Sequence, residues 1–135
     1  MFGKSNKPSP IDSLIGTGTT IEGDVSFTGG LRIDGHVRGN VTATGNKPGT
    51  LVISELAKVE GDIDVAHVVI NGTVAGPVRG AEYVELLPKA RVTGNVSYKS
   101  IEIHVGAIVV GQLIYENVQK SDKVVELKPA TGKSE

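Results

Sequence analysis

Apolar and polar residues alternate in short stretches through the middle of the chain, and glycines interrupt each stretch. In one stretch Ile33, Val37 and Val41 occupy one phase, and polar residues occupy the other. Gly35 and Gly39 fall on the apolar phase. Period-two alternation is typical of β-strands, which turn successive side chains to opposite faces. A glycine on the inward phase allows the backbone to bend, so the pattern predicts very short strands joined at corners.

This pattern returns at a nearly constant interval. Each repeat contains glycine, any residue and then an aliphatic residue, and the aliphatic positions are Val25, Val41, Ile63, Val78, Val96 and Leu113. Successive members lie 15 to 22 residues apart, and the longest interval contains a turn-like insertion at 45–49. A period of about 18 residues is too short for paired helices or a propeller blade, and it fits one coil of a β-solenoid. We therefore predict an all-β parallel β-helix of about six coils, with three short strands per coil.

The handedness and the boundaries of this helix follow from the same pattern. Left-handed β-helices usually carry a strict hexapeptide repeat, whereas here apolar residues recur four apart within coils of variable length, which favours a right-handed helix. We place the helical domain at residues 14–116. Polar and charged composition predicts a flexible N-terminal tail at 1–13 and a flexible C-terminal tail at 117–135.

Composition and charge narrow the range of functions. Aromatic residues make up 4% of the chain and tryptophan is absent, so the core must consist of stacked aliphatic side chains. A net charge of −1 offers no basic surface for nucleic acid, and we expect no nucleic-acid partner. The chain has no cysteine, and no apolar run approaches the roughly 18 residues that a membrane-spanning helix needs. Residues 1–10 lack the apolar region of a secretory signal.

Several segments resemble the core of the bactofilins, a family of bacterial polymer-forming cytoskeletal proteins. The resemblance covers about 14–116, and its segments are IEGDV at 21–25, GLRIDGHVRGNV at 30–41, KARVTGNV at 89–96, IEI at 101–103 and GAIVVG at 106–111. It implies a right-handed β-helix that assembles end to end into filaments without nucleotide. It also implies a scaffold for cell shape or cell-wall organisation, with no catalytic residues and no cofactor.

A solenoid with bare ends is expected to stack on copies of itself, because each end presents unpaired strand edges and an apolar cross-section. No capping element is evident in the sequence. The predicted polymerisation interface comprises Leu14, Ile15, Ile21, Ile101, Ile103, Ile108, Val109 and Leu113. Family members often carry an aromatic residue where this chain has Val109, which leaves the role of that position open. Two alternatives also remain: the tails cover the ends, giving a monomer or closed dimer, or the subunits stack with either polarity, although the resemblance implies alternating contacts.

The N-terminal tail combines an apolar tip with basic residues, and its membrane-targeting candidates are Met1, Phe2, Lys4 and Lys7. It is similar to the short targeting segment of many bactofilins, although a plain tail is equally compatible with its composition. One phenylalanine and two lysines supply about 4 kcal/mol, which corresponds to roughly millimolar binding. Many copies on one filament would strengthen it. We therefore expect a cytoplasmic protein at the inner face of the cytoplasmic membrane, with partners that are itself, the inner membrane surface and unidentified recruited proteins such as cell-wall enzymes.

The remaining alternative is a small trimeric β-helical enzyme, similar to the hexapeptide acyltransferases or to one class of carbonic anhydrase. The histidines available for such chemistry are His36, His67 and His104. A three-histidine zinc site needs these side chains on adjacent coils at a subunit seam. They lie 31 and 37 residues apart in different local contexts, so we predict surface histidines and no metal site.

Overall fold

Short parallel strands separated by corners account for all the regular structure in the described chain. The structure, a computed structural model, describes residues 9–116. Within them the elements are β1 (Ile11–Ile15), β2 (Thr20–Glu22), β3 (Val25–Phe27), β4 (Gly30–Ile33), β5 (His36–Arg38), β6 (Val41–Ala43), β7 (Thr50–Ile53), β8 (Lys58–Glu60), β9 (Ile63–Ile70), β10 (Thr73–Ala75), β11 (Val78–Leu86), β12 (Arg91–Thr93), β13 (Val96–Tyr98), β14 (Ile101–Ile103), β15 (Ile108–Val110) and β16 (Leu113–Tyr115).

These strands wind into the predicted right-handed parallel β-helix of about six coils. Strands β2, β5, β8, β10, β12 and β15 form one continuous sheet, and the other ten strands form a second. The long strands β9 and β11 each pass through a corner and therefore serve two coils. Strand β9 pairs with β6 through Ile63 and with β7 through residues 67–70. Three strand segments per coil are thus confirmed, although sixteen separate strands supply them.

The structure confirms the aliphatic column predicted from the sequence, because all six of its residues are register partners in neighbouring strands. Its members stack coil on coil in the order Val25, Val41, Ile63, Val78, Val96 and Leu113. A second column runs through Ile21, Val37, Val59, Val74, Val92 and Val109. A third runs through Ile15, Ile33, Ile53, Ile70, Leu86 and Ile103. The inner members of all three columns are buried and form the core of the helix.

Glycines make one corner of the helix possible. Gly61 and Gly76 have φ angles of 152° and 144°, in the region that L side chains rarely adopt. A Cβ built on Gly76 would also collide with the carbonyl oxygen of Gly61 on the preceding coil. The backbones of successive coils therefore approach each other at this corner more closely than a side chain would permit.

Strand β1 includes residues before position 14, within the predicted N-terminal tail. Strand β1 starts at Ile11, where it pairs with Gly30, and an irregularity separates this pair from Ser13 opposite Leu31. Just before the strand, the Ser9 hydroxyl donates to the carbonyl of Pro48 at 2.7 Å. The edge of β4 thus recruits residues that polar composition alone assigned to the N-terminal tail. The other tail predictions, for residues 1–8 and 117–135, lie outside the described residues.

Candidate functional site at the two ends of the helix

Each end of the described helix consists of three strands that have a hydrogen-bonded neighbour on one side only. We call β1, β2 and β3 the N-terminal end and β14, β15 and β16 the C-terminal end. Within residues 9–116, β1 and β16 close one sheet path, β2 and β15 close the other, and β3 and β14 pair only with β6 and β11. Unpaired strand edges of this kind offer backbone donors and acceptors to a further strand.

Two of the three residues predicted at the N-terminal end lie in its cross-section. Ile15 and Ile21 are the first members of two aliphatic columns, stacked on Ile33 and Val37 respectively. Leu14 is placed differently, because its register partner is Arg32 and its side chain points outward with 62% exposure. It lies on the rim of this end.

Four of the five residues predicted at the C-terminal end also belong to inward-facing columns. Ile103, Val109 and Leu113 are the last members of the three columns, and Ile101 stacks on the buried Val84. Ile108 stacks on the exposed Arg91 instead, so it faces outward beside this end.

Exposed apolar area is concentrated on the last coil. Of the ten large hydrophobic residues that are exposed in the described chain, seven lie there: Ile103, Val105, Ile108, Val110, Leu113, Ile114 and Tyr115. An exposed cluster rimmed by polar groups usually marks an interaction surface. Ile103 and Leu113 belong to the columns that reach the end, whereas Ile108 and Val110 face outward, so the last coil is the more apolar of the two terminal coils both at its end and on its outer side.

Two further end residues were absent from the predicted interface. Val25 is the half-buried first member of the column that ends at Leu113, so the repeat that identified Leu113 also carried the signal for Val25. Tyr115 stacks on Tyr98, with ring centroids 6.0 Å apart and planes tilted by 55°. The two tyrosines are one repeat length apart in the sequence, and this spacing could have predicted their contact.

The last described residue, Glu116, does not cross the C-terminal end. The Glu116 amide continues the ladder to the carbonyl of Tyr98 at 2.7 Å. Its carboxylate accepts from Arg79 Nε at 3.0 Å, and Arg79 also bonds Asp64 at 3.1 Å. The last described side chain thus lies along the side of the helix.

The sides of the helix are polar and largely paired. Arg38 lies 3.0 Å from Glu22 and 3.8 Å from Glu60, and Lys58 lies 3.1 Å from Glu60. A hydrogen bond from Lys58 is the main reason that the pKa of Glu60 lies below its ordinary value. Such exposed pairs add little stability. They do, however, give the sides a hydrated character that the ends lack.

The three histidines occupy three different environments. His36 Nε2 lies 3.3 Å from Glu60, and His104 Nε2 lies 2.8 Å from Glu85. His67 is half-exposed on the outward phase of its strand, and its buried Nε2 has no hydrogen-bond partner among the described residues. It stacks between Thr50 and Tyr83 in a sheet interior, and burial lowers its pKa.

One cluster of chemistry-bearing side chains was missed. His104 lies beside Glu85 and Glu102, and their ligand atoms all fall within 4.8 Å of one another. Desolvation and the hydrogen bond to Glu102 raise the pKa of neighbouring Tyr83 to about 12. The spacing between histidines gives no sign of this cluster, because its other members are glutamates, Glu102 on the same coil and Glu85 on the adjacent one.

Together the fold and its ends define an elongated β-solenoid whose described ends carry open strand edges and apolar columns. The sequence-family model of the bactofilins, described as polymer-forming cytoskeletal, matches residues 13–114. The chain therefore belongs to that family. It is similar to Bactofilin BacO of Myxococcus xanthus (strain DK1622), with 30% identity over 102 residues, covering 76% of this chain and 78% of that protein. No solved structure matches the present chain.

Family membership establishes a structural, polymer-forming cytoskeletal class and implies self-association. Residues 9–116 contain no helix with the length and apolar character needed to cross a bilayer.

Proposed function

We propose that this protein polymerises end to end, without nucleotide, by stacking the terminal coils of successive subunits. The observation that carries the proposal is the continuation of all three aliphatic columns to the last described coil at each end. Among residues 9–116, Ile103, Val109 and Leu113 have a stacked neighbour on one side only, and the strands that bear them pair on one edge only. A second subunit would supply the missing neighbour in each case.

The energetic scale suits reversible assembly. Burying four or five aliphatic side chains at each end contributes on the order of 5–10 kcal/mol, against association costs of similar size. Affinity therefore depends on how well the two ends fit. Both proposed contact surfaces consist of polypeptide, so the contact as proposed includes no bound nucleotide.

Electron microscopy of the purified full-length chain in nucleotide-free buffer tests this proposal. We expect unbranched filaments whose width is that of a single β-helix or a small bundle of them. Discrete monomers, dimers or trimers at concentrations far above micromolar, seen both in micrographs and by light scattering, would refute it. The discrete trimer is also the outcome that a β-helical enzyme would give.

The proposal extends to a membrane-associated scaffold at the inner face of the cytoplasmic membrane. Its support is the apolar and basic N-terminal sequence with Phe2, Lys4 and Lys7, which lies outside the described residues. One such segment binds weakly, so attachment should require the many copies that a filament provides. On this basis the filament recruits other proteins, including cell-wall enzymes, and organises cell shape or the cell wall.

Flotation with anionic phospholipid vesicles tests the coupling between assembly and attachment. Wild-type filaments should float, a Phe2→Ser variant should assemble normally and float poorly, and a variant blocked in assembly should also float poorly. If the assembly-blocked chain floats as well as wild type, attachment does not depend on avidity. If Phe2→Ser floats normally, the tip of the tail is not the anchor.

A further inference from the structure

Two carboxylates and an imidazole converge on the outer surface of the last two coils. Glu85 of β11 and Glu102 of β14 are directly opposite each other in a parallel pair. His104 follows Glu102 by two residues, so its side chain leaves the backbone on the same face. Its Nε2 lies 2.8 Å from Glu85 Oε2 and 3.5 Å from Glu102 Oε2.

The charge balance of this cluster differs from that of other carboxylates on the helix. Like charges directly opposite in neighbouring strands destabilise a sheet. Glu60, for comparison, has Lys58 and Arg38 within 4.0 Å. Among the described residues, the only cationic partner of Glu85 and Glu102 at that distance is His104, which is charged only when protonated. With a neutral imidazole the cluster carries two uncompensated negative charges.

We propose that Glu85, Glu102 and His104 form a binding site for a divalent cation of the zinc type. Zinc in proteins takes imidazole nitrogen and carboxylate oxygen at about 2.0–2.2 Å, and three protein ligands leave the fourth position to solvent. The corresponding tetrahedron has edges of about 3.3 Å. The two Nε2–Oε2 distances, 2.8 and 3.5 Å, lie on either side of that edge, and all three ligand atoms lie within 4.8 Å of one another. Side-chain rotations that draw the two carboxylates together would complete the set.

The surroundings hold these ligands in position. The pairing of β11 with β14 fixes the positions of Glu85 and Glu102 opposite each other. The amide of His104 donates to the carbonyl of Leu86 at 2.9 Å, which extends the ladder to the third ligand. Tyr83 donates its hydroxyl to Oε1 of Glu102 at 3.0 Å and leaves Oε2 directed at the imidazole. Hydrogen bonds from outside the coordination sphere orient metal ligands in this way.

All three ligands come from one chain, so this site does not depend on filament assembly. The test uses full-length protein freed of metal with a chelator and then titrated with Co²⁺, whose visible absorption reports tetrahedral coordination, and with Zn²⁺ in a calorimeter. We compare wild type with His104→Gln and Glu85→Gln. The matched control is His36→Gln, which removes a histidine with a similar glutamate contact beside Lys58 and Arg38.

We expect wild type and His36→Gln to bind one Zn²⁺ per chain with equal affinity and to show the Co²⁺ bands. His104→Gln and Glu85→Gln should lose the bands, and Tyr83→Phe should weaken binding about 10- to 100-fold. Absence of saturable binding in wild type overturns the proposal, as does a His104→Gln variant with wild-type affinity. If His104→Gln does not fold, Glu102→Gln, whose side chain is 58% exposed, replaces it in the same comparison.

Discussion

Replacing Val109 with arginine should abolish the C-terminal contact while leaving the subunit folded. Val109 is the half-buried last member of the column that runs from Ile21, and only Val92 stacks on it within the described chain. In a free subunit an arginine there extends past the edge of the last coil and reaches water. In a filament the same side chain would lie between two apolar cross-sections.

The magnitude follows from burial and charge. Complete burial of a valine contributes about 1.5–3 kcal/mol, and Val109 is already half-buried in the subunit. Losing the remaining burial therefore costs about 0.8–1.5 kcal/mol, which weakens the contact roughly four- to tenfold. An unpaired buried charge adds several kcal/mol more. The critical concentration for assembly should therefore rise by at least about two orders of magnitude.

The matched control is Val110→Arg. Val110 is the next residue, but it stacks on the exposed Thr93 and its own side chain is 62% exposed on the outer surface. We expect Val110→Arg to keep the wild-type critical concentration in a sedimentation assay and Val109→Arg to leave short, soluble species. Equal critical concentrations for all three proteins would exclude the C-terminal end as a contact. An equal loss of assembly in both variants would show that a positive charge on this coil prevents assembly whether the side chain faces the end or the outer surface.

Three further predictions concern the folded subunit and are measured by urea unfolding of the Val109→Arg background, which excludes assembly. Gly76→Ala should destabilise by about 1–3 kcal/mol because φ is 144° and a Cβ meets the preceding coil, whereas Gly18→Ala, with open space around it, should change stability by less than about 0.5 kcal/mol. Leu51→Ala should cost about 2–5 kcal/mol because its side chain is fully buried, and a smaller loss would mean that the helix collapses around the gap. Burial lowers the pKa of His67 from its ordinary value of 6.5, so the free energy of unfolding should be highest above a pH of about 6.5 and should decrease as the pH falls and the buried imidazole must accept a proton. His67→Gln should lack this decrease in the free energy of unfolding. The same pH dependence in both proteins would contradict the assignment.

The sequence predicted the interior of this helix well because stacking repeats each environment. Residues such as Val41 and Ile63 occupy equivalent positions in different coils, so the same side-chain type returns whenever the chain completes a turn. The unequal spacing of 22 residues between them did not disturb the register, since the insertion at 45–49 lies in a corner. Fold class and the members of the column from Val25 to Leu113 therefore followed from periodicity.

Features that depend on phase within a single strand, or on contact across coils, were harder to predict. Leu14 and Ile108 are aliphatic and lie in terminal coils, yet their register partners are Arg32 and Arg91, so both face outward. Composition alone does not say whether a side chain in a terminal coil faces the interior or the solvent. In the described chain a terminal coil can be compared with a neighbouring coil on one side only.

The glutamate and histidine cluster was missed for a related reason. Glu85 and Glu102 are separated by about one coil, and this spacing signals contact only once the coil length is known locally. The spacing between histidines does not find this cluster, because parallel stacking makes any residue one coil away a neighbour, whatever its type. Spacing by one coil, applied to all ligand types, is the signal that would have found it.

The division of chemistry between sides and ends explains why growth should occur along one axis. The sides present charged residues such as Arg38 and Arg79, each with carboxylate partners on other coils, so lateral contact would require these hydrated groups to lose water for little gain. Within the described residues, the ends present aliphatic side chains and strand edges without a partner, and each end would meet in a second subunit what it already meets in the neighbouring coil. Subunit stacking thus repeats the contact that builds the subunit. Substitutions at column positions should accordingly weaken folding when they lie in inner coils and assembly when they lie in terminal coils.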